Sequence, residues 1–349
     1  MKSTRKSNED NERLKRAYFQ FLREARGCAP STVGKVAEAL LRFEDALGFK
    51  PFISIVIDDA RRFKDKLEHA KNAKTGKPFS AALRVNVLSS VRAFLHWIAD
   101  RPGYKSHISH SDAAYFGPSM KDARIARARR PVPAPTIEQA LHTFGHMPAL
   151  TMIERRNRAF FALMVLTGAR ISAAASLTIG HIDLVQGCVW QDARDVDTKG
   201  SKTFTTWFFP VERIYFDCLA AWIAKLRKGL LFGPTDPLFP RSEMRVSPLR
   251  GFECVGLSRK PFTGDDSLRK VIKAAFAAAG LPAFSPHRFR NPLQNHSNRF
   301  CQTPAEIKAW SLNFGHSNIR TTIDDYGRIS PERQGEIITK MREKHEAGE

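Results

Sequence analysis

The sequence predicts a mainly α-helical protein with a small β-hairpin or sheet, built as an N-terminal helical bundle followed by a larger α+β domain. Three observations carry this. Apolar residues recur at three- and four-residue spacing through most of the chain, in runs bounded by capping residues or by Gly and Pro. One stretch, from Gly187, changes to strand-like composition. A length of 349 residues with a 42% hydrophobic share is enough for two cores.

Residues 1 to about 10 are polar and expected to fray. The first helix runs from Glu12 to Arg26, with Leu14, Tyr18, Leu22 and Ala25 on one stripe; Gly27 and Pro30 end it. The second starts near Ser31 or Thr32 and buries Val36, Ala39, Leu40, Phe43 and Leu47 before Gly48 and Pro51. A third covers about Ile57 to Ala70. The fourth covers Ser80 to Ala99, with Leu83, Val87, Val91, Phe94, Leu95 and Ile98 on one face. Short connections make these a bundle, placed at 1–105. Its polar faces carry Lys64, Lys66, Lys71, Lys74, Lys77, Arg84 and Arg92, spaced to track phosphates.

Residues 106–135 contain few apolar side chains, and KDARIARARRPVPAP is basic and then proline-rich. This predicts a semi-rigid linker whose Arg124, Arg127, Arg129 and Arg130 lie along a polyanion. The second domain, 136–349, opens with two capping boxes, Thr136 with Gln139 and Thr151 with Glu154. The second of these helices packs Phe160, Phe161, Met164 and Val165 inward and stops at Gly168, leaving Arg170 in a turn between helices. CVWQDARDV and KTFTTWFFPV then read as strands around Lys199 and Lys202. Helices follow at about Glu212 to Lys228 and Ser267 to Ala279. Between them, Phe232 to Thr263 reads as a surface excursion. Ser285-Pro286 and Thr303-Pro304-x-Glu306 start two more helices, a short one should end near Tyr326, and a charged helix covers about Pro331 to Lys344.

Lys and Arg outnumber Asp and Glu by 56 to 35, a net charge of +21, which favours a polyanionic partner. The five cysteines are scattered with no C-x-x-C pair, against a disulfide framework or zinc module and in keeping with a reducing cytoplasm. The N-terminus has no apolar core, and the longest apolar run, Ala159 to Leu166, is too short to cross a bilayer, so a soluble intracellular protein is expected. No Walker motif, acidic cluster or zinc spacing supports a metal-dependent nuclease.

The chemistry gathers in the last third of the chain. His287 and Arg290 sit three apart in SPHRFR, and His316 and Tyr326 flank a polar segment in FGHSNIRTTIDDYG. Far upstream, TGARIS supplies Arg170. Two arginines can clamp non-bridging phosphate oxygens, two histidines can share protons near neutral pH, and a tyrosine can attack and hold the phosphate. Such a set breaks a phosphodiester without metal. In this order and spacing, the three boxes resemble those of the tyrosine recombinases, the phage-integrase family, from roughly Arg155 to Gln334. The resemblance implies a core-binding bundle that forms half of a DNA clamp, an α+β catalytic domain, and Lys199 on the hairpin as the sixth catalytic group, with Lys202 as the runner-up.

The implied reaction is attack by Tyr326 on a DNA phosphate, giving a 3′-phosphotyrosyl bond and a free 5′-hydroxyl. Arg170 and Arg290 would hold the transition state, His287 assist deprotonation, His316 add a hydrogen bond, and Lys199 protonate the leaving oxygen. No cofactor, ATP or metal is required. The implied partners are double-stranded DNA with a specific site, three further protomers in a tetramer, and DNA-bending accessory proteins. The implied place is a cytoplasmic nucleoid. Three departures stand out. Ala173 occupies the usual acidic position, Asn291 the frequent histidine, and Pro292 is expected to kink or shorten its helix. Alternative readings are a catalytically impaired DNA-binding protein, a type IB topoisomerase-like enzyme, and an RNA-directed phosphodiesterase.

Overall fold

The computed structural model describes residues 7–73, 75–128, 133–198, 200–247, 251–316 and 339. Lys74, Arg129, Arg130, Lys199, Arg250, Tyr326 and the two expected C-terminal helices lie outside the described residues. The chain forms two compact units, Met1–Pro131 and Val132–Glu349.

The first unit contains α1 (Glu9–Glu24), α2 (Pro30–Ala46), α3 (Ile57–His69), α4 (Ala81–Ala99), α5 (His110–Tyr115) and α6 (Met120–Arg127). Asn8 and Ser80 cap α1 and α4 through their side-chain oxygens. On α4, Val91, Phe94, Leu95 and Ile98 are wholly buried, and Phe43, Phe52, Phe63 and Phe116 complete an edge-to-face aromatic core. One buried polar cluster is satisfied: Asn11 donates to Glu44 and to the Lys50 carbonyl, accepts from the Phe52 amide, and Lys15 pairs with Glu44.

The stretch expected to be a linker is helical over α5 and α6 and packs on α4, with Ala113 and Phe116 in the core. Ser109 and Ser119 cap the two helices from positions three before Asp112 and Asp122. Each helix needs only a narrow apolar edge because α4 supplies the rest of the interface, so little periodicity shows in the sequence.

The second unit contains α7 (Ile137–His146), α8 (Met152–Thr167), α9 (Ile171–Ser176), β1 (Ile182–Asp183), β2 (Cys188–Gln191), β3 (Phe204–Trp207), α10 (Arg213–Gly229), β4 (Ser242–Ser247), β5 (Gly251–Leu257), α11 (Asp266–Ala278), α12 (Arg290–Phe300) and α13 (Pro304–Asn313). Both threonine capping boxes form at α7 and α8, and Thr303 with Glu306 forms a third at α13. The axis of this unit is α8, buried on every side from Ala159 to Thr167. Tyr215, Trp222, Phe239, Phe276 and Phe289 pack around it.

The strands β1, β2 and β3 form an antiparallel sheet in chain order, with Val189 opposite Thr206 and Trp190 opposite Thr205. The stretch read as a surface excursion holds the antiparallel hairpin β4–β5, bulged between Glu243 and Met244. Pro292 neither kinks nor shortens its helix. The Ser285-Pro286 start builds a 3-10 turn, Pro286–Phe289, and α12 begins at Arg290. Pro292 therefore falls in the first turn, where its missing N–H has no helical partner to lose.

Candidate active site

The turn after α8 is built on Gly168, whose φ of +56° suits a left-handed cap and whose amide bonds back to Met164. A Cβ there would stand 2.7 Å from the Phe314 ring, so this glycine is required by packing as well as by conformation. Arg170 then opens α9. Its guanidinium is half-buried and makes no hydrogen bond or ion pair among the described residues; burial pushes its affinity for the proton down. A cation held in this way favours an anionic ligand.

The second arginine is placed by the core. Phe289 is 1% exposed and plugs between Phe161 and Phe276, which fixes the 3-10 turn and the start of α12. His287 is exposed on that turn, three residues before the buried Arg290. Arg290 reaches across the fold with both terminal nitrogens. One donates to the Gly168 carbonyl at 3.0 Å, and the other donates to the Phe314 carbonyl at 2.9 Å and to His316 Nε2 at 3.0 Å. A guanidinium has no acceptor, so His316 must present its Nε2 lone pair and carry its proton on Nδ1. The Arg290 carbon also lies 4.8 Å over the Phe314 ring.

Phe314, Phe209, Leu293 and Ile137 make a small separate core beneath these contacts, with Trp310 packed against it. The Trp310 indole donates to the Leu293 carbonyl, tying α13 to α12. Gly315, φ +70°, turns the chain from Phe314 to His316 directly over the Phe204 ring, leaving 2.7 Å for any Cβ. The structure thus joins Gly168 of the first box, Arg290 of the second and His316 of the third in one hydrogen-bonded set. Beside it, Lys202, Phe204, Trp207, Leu312, Asn313 and His316 line a cavity of about 580 Å³.

Lys199 and Tyr326, the two reactive groups expected from the sequence, lie outside the described residues. Ala173 is buried on α9, so a methyl group fills the place where the resemblance puts a carboxylate. Asn291 is half-buried in the first turn of α12. Among the basic residues expected to face DNA, Lys77, Arg124, Arg127 and Lys202 are exposed and Arg84 is half-exposed. Lys64 is half-buried, and that burial pushes its ammonium pKa down against the opposing pull of Asp122. Lys74, Arg129 and Arg130 lie outside the described residues.

The profile of the Phage integrase family matches residues 135–333. The chain belongs to that family, the tyrosine recombinases. Membership makes it an enzyme of the site-specific recombinase class. It is 24% identical over 314 residues to tyrosine recombinase XerC of Serratia marcescens, covering 88% of this chain and 87% of that protein. Its fold matches a lambda integrase(75-356) dimer bound to a COC′ core site with a TM-score of 0.61 at 14% identity, covering 92% of this chain and 96% of that one. A lambda integrase tetramer bound to a Holliday junction matches with a TM-score of 0.58 at 16% identity, covering 91% and 78%.

Sequence reasoning missed three side chains that hydrogen-bond to the backbone around the β2–β3 connection: Ser172, Ser176 and Asn313. Each bonds to backbone or stands in for it, and such contacts leave no period or motif in a sequence. In α9 the sequence offered only a hint, two serines four residues apart.

Proposed function

We propose that this chain cuts and rejoins double-stranded DNA at a specific site through a covalent 3′-phosphotyrosyl intermediate. The observation that carries the proposal is the reach of Arg290 from Gly168 to His316, which joins the three boxes in one hydrogen-bonded set. Arg170 and Arg290 bind the non-bridging oxygens as charge develops on them, exchanging neutral acceptors for phosphate. His287 assists removal of the tyrosine proton, since a phenol of pKa ~10 is mostly protonated at pH 7. His316 adds a hydrogen bond to the phosphate, and Lys199 protonates the leaving 5′-oxygen. The phosphotyrosyl bond conserves the energy needed for rejoining, so the step draws on neither ATP nor metal. Strand exchange requires four protomers on two duplexes. The Met1–Pro131 unit serves as the core-binding half of a DNA clamp, with Lys77, Arg84, Arg124 and Arg127 on the phosphates. Work on DNA implies a cytoplasmic, nucleoid-associated protein.

The test is a nicked duplex carrying the recombination site, incubated with protein and EDTA and run on a denaturing gel. A covalent band, absent with Tyr326→Phe although that variant binds the duplex normally, is the expected result. Tight binding without a band would overturn the proposal and leave a DNA-binding protein impaired around Ala173.

A further inference from the structure

Twelve residues, Asp192 to Thr203, connect β2 to β3 and carry Lys199 and Lys202. A surface loop of this length would ordinarily wander. This one is tied down at several points. Val196 is 3% exposed and belongs to the main core. Asp192, 4% exposed, accepts the Arg194 guanidinium on both oxygens, which holds its carboxyl well below the usual range. Its carbonyl accepts the Val196 amide at 2.7 Å, closing a turn.

Two further restraints come from outside the loop. The Asp197 amide donates to Ser176 Oγ at 2.9 Å, and Ser172 Oγ donates to the Asp197 carbonyl at 3.2 Å. Both serines belong to α9, the helix that Arg170 opens, and both backbone groups of Asp197 are thereby satisfied two residues before Lys199. Beyond the loop, Asn313 bridges the far end of β3, the strand that the loop enters, as a neighbouring strand would. Its Oδ1 accepts the Trp207 amide at 2.6 Å and its Nδ2 donates to the Trp207 carbonyl at 2.9 Å. Thr206 Oγ1 donates to the Asn313 carbonyl at 3.1 Å. Asn313 is three residues before His316.

We propose that Ser172, Ser176 and Asn313 are positioning residues that anchor the β2–β3 loop to the arginine and histidine boxes, so that its lysine delivers a proton to the leaving oxygen. This rests on the phosphotyrosyl reading above and deepens it. In the step concerned, the tyrosine oxygen passes its proton to His287 and forms a bond to phosphorus. The bond from phosphorus to the 5′-oxygen breaks, and that oxygen takes the lysine ammonium proton. The phosphodiester charge is unchanged. Proton delivery is steep in distance, so loosening the loop by about 1 Å costs up to about hundredfold in rate. Binding of DNA through the rest of the protein is unaffected.

A sulfur in place of the bridging 5′-oxygen separates this role from a general loss of structure. A thiolate leaves without a proton, so a defect in proton delivery disappears with the sulfur substrate while a defect in phosphate binding or attack remains. Single-turnover cleavage would be measured for the full chain, for Lys199→Ala and Lys202→Ala, for the Ser172→Ala/Ser176→Ala pair, and for Asn313→Ala, on oxygen and sulfur duplexes. The serine pair and Asn313→Ala are expected to be about tenfold to hundredfold slow on oxygen and within about threefold of the parent on sulfur. Ser176→Thr, which keeps the acceptor, should recover most of the oxygen rate.

Parental rates on oxygen for the serine pair and Asn313→Ala, or equal losses on both substrates, would overturn the proposal. The lysine variants report on the underlying reading separately. If neither lysine substitution is rescued by sulfur, lysine is not the acid and both ideas fall together. If one is rescued while the serine and asparagine variants are not, only the positioning role falls.

Discussion

At the scale of single residues, the site depends on one glycine and one arginine that meet. Gly168 has the only side chain that fits both its φ of +56° and the 2.7 Å gap to Phe314. Gly168→Ala should therefore cost about 1–3 kcal/mol, read as a lower denaturation midpoint, and should slow cleavage by displacing the carbonyl that Arg290 holds. Arg290→Ala should lose about 10²–10³ in the covalent step while leaving DNA affinity nearly intact, measured by single-turnover cleavage beside a binding titration. Arg290→Lys should rescue little, because one ammonium cannot span the Gly168 and Phe314 carbonyls together. The groups proposed for the site stand out in the sequence because phosphate chemistry needs particular groups, and Arg170, His287, Arg290 and His316 stand in recognisable strings. Asn313, Ser172 and Ser176 do not, because a side chain that imitates backbone leaves nothing to count.

At the scale of elements, legibility followed the source of stability. Helices that announce their own ends were read correctly, as at Thr136, Thr151 and Thr303, where the capping box forms as the spacing predicts. Thr303→Ala should lower stability by about 1 kcal/mol, seen in thermal or chemical melts, since α13 loses the acceptor for its Glu306 amide. Helices that borrow an interface were not read: α5 and α6 are short, and α4 gives them their apolar surface. Pro292 was misjudged because the turn before it is 3-10, which moves the start of α12 to Arg290. Pro292→Ala should consequently change stability by less than about 0.5 kcal/mol, where a mid-helix proline removed would stabilise by about 3. The β4–β5 ribbon escaped because β4 alternates over only Glu243 to Ser247 and β5 breaks its alternation at Cys254-Val255.

At the scale of the whole molecule, the two units carry separate cores, one of bundle aromatics and one wrapped on α8. Each should melt cooperatively alone, and a Val132–Glu349 fragment is expected to give a single calorimetric transition. The charge of +21 suits the DNA binding proposed above, whose signature is salt. A plot of log affinity against log salt should be linear, and the Lys77→Ala/Arg84→Ala pair should flatten its slope by about 2 if both meet phosphates. A pair that leaves the slope unchanged would place those residues off the DNA.

The reach of Arg290 also sets a timetable. Its Gly168 partner precedes it by 122 residues and its Phe314 partner follows by 24. At ordinary rates of translation the first interval alone lasts roughly 6–24 s. For that time the arginine turn emerges from the ribosome without the groups that complete it. On the proposed reading, competence to break DNA is then among the last properties the nascent polypeptide acquires.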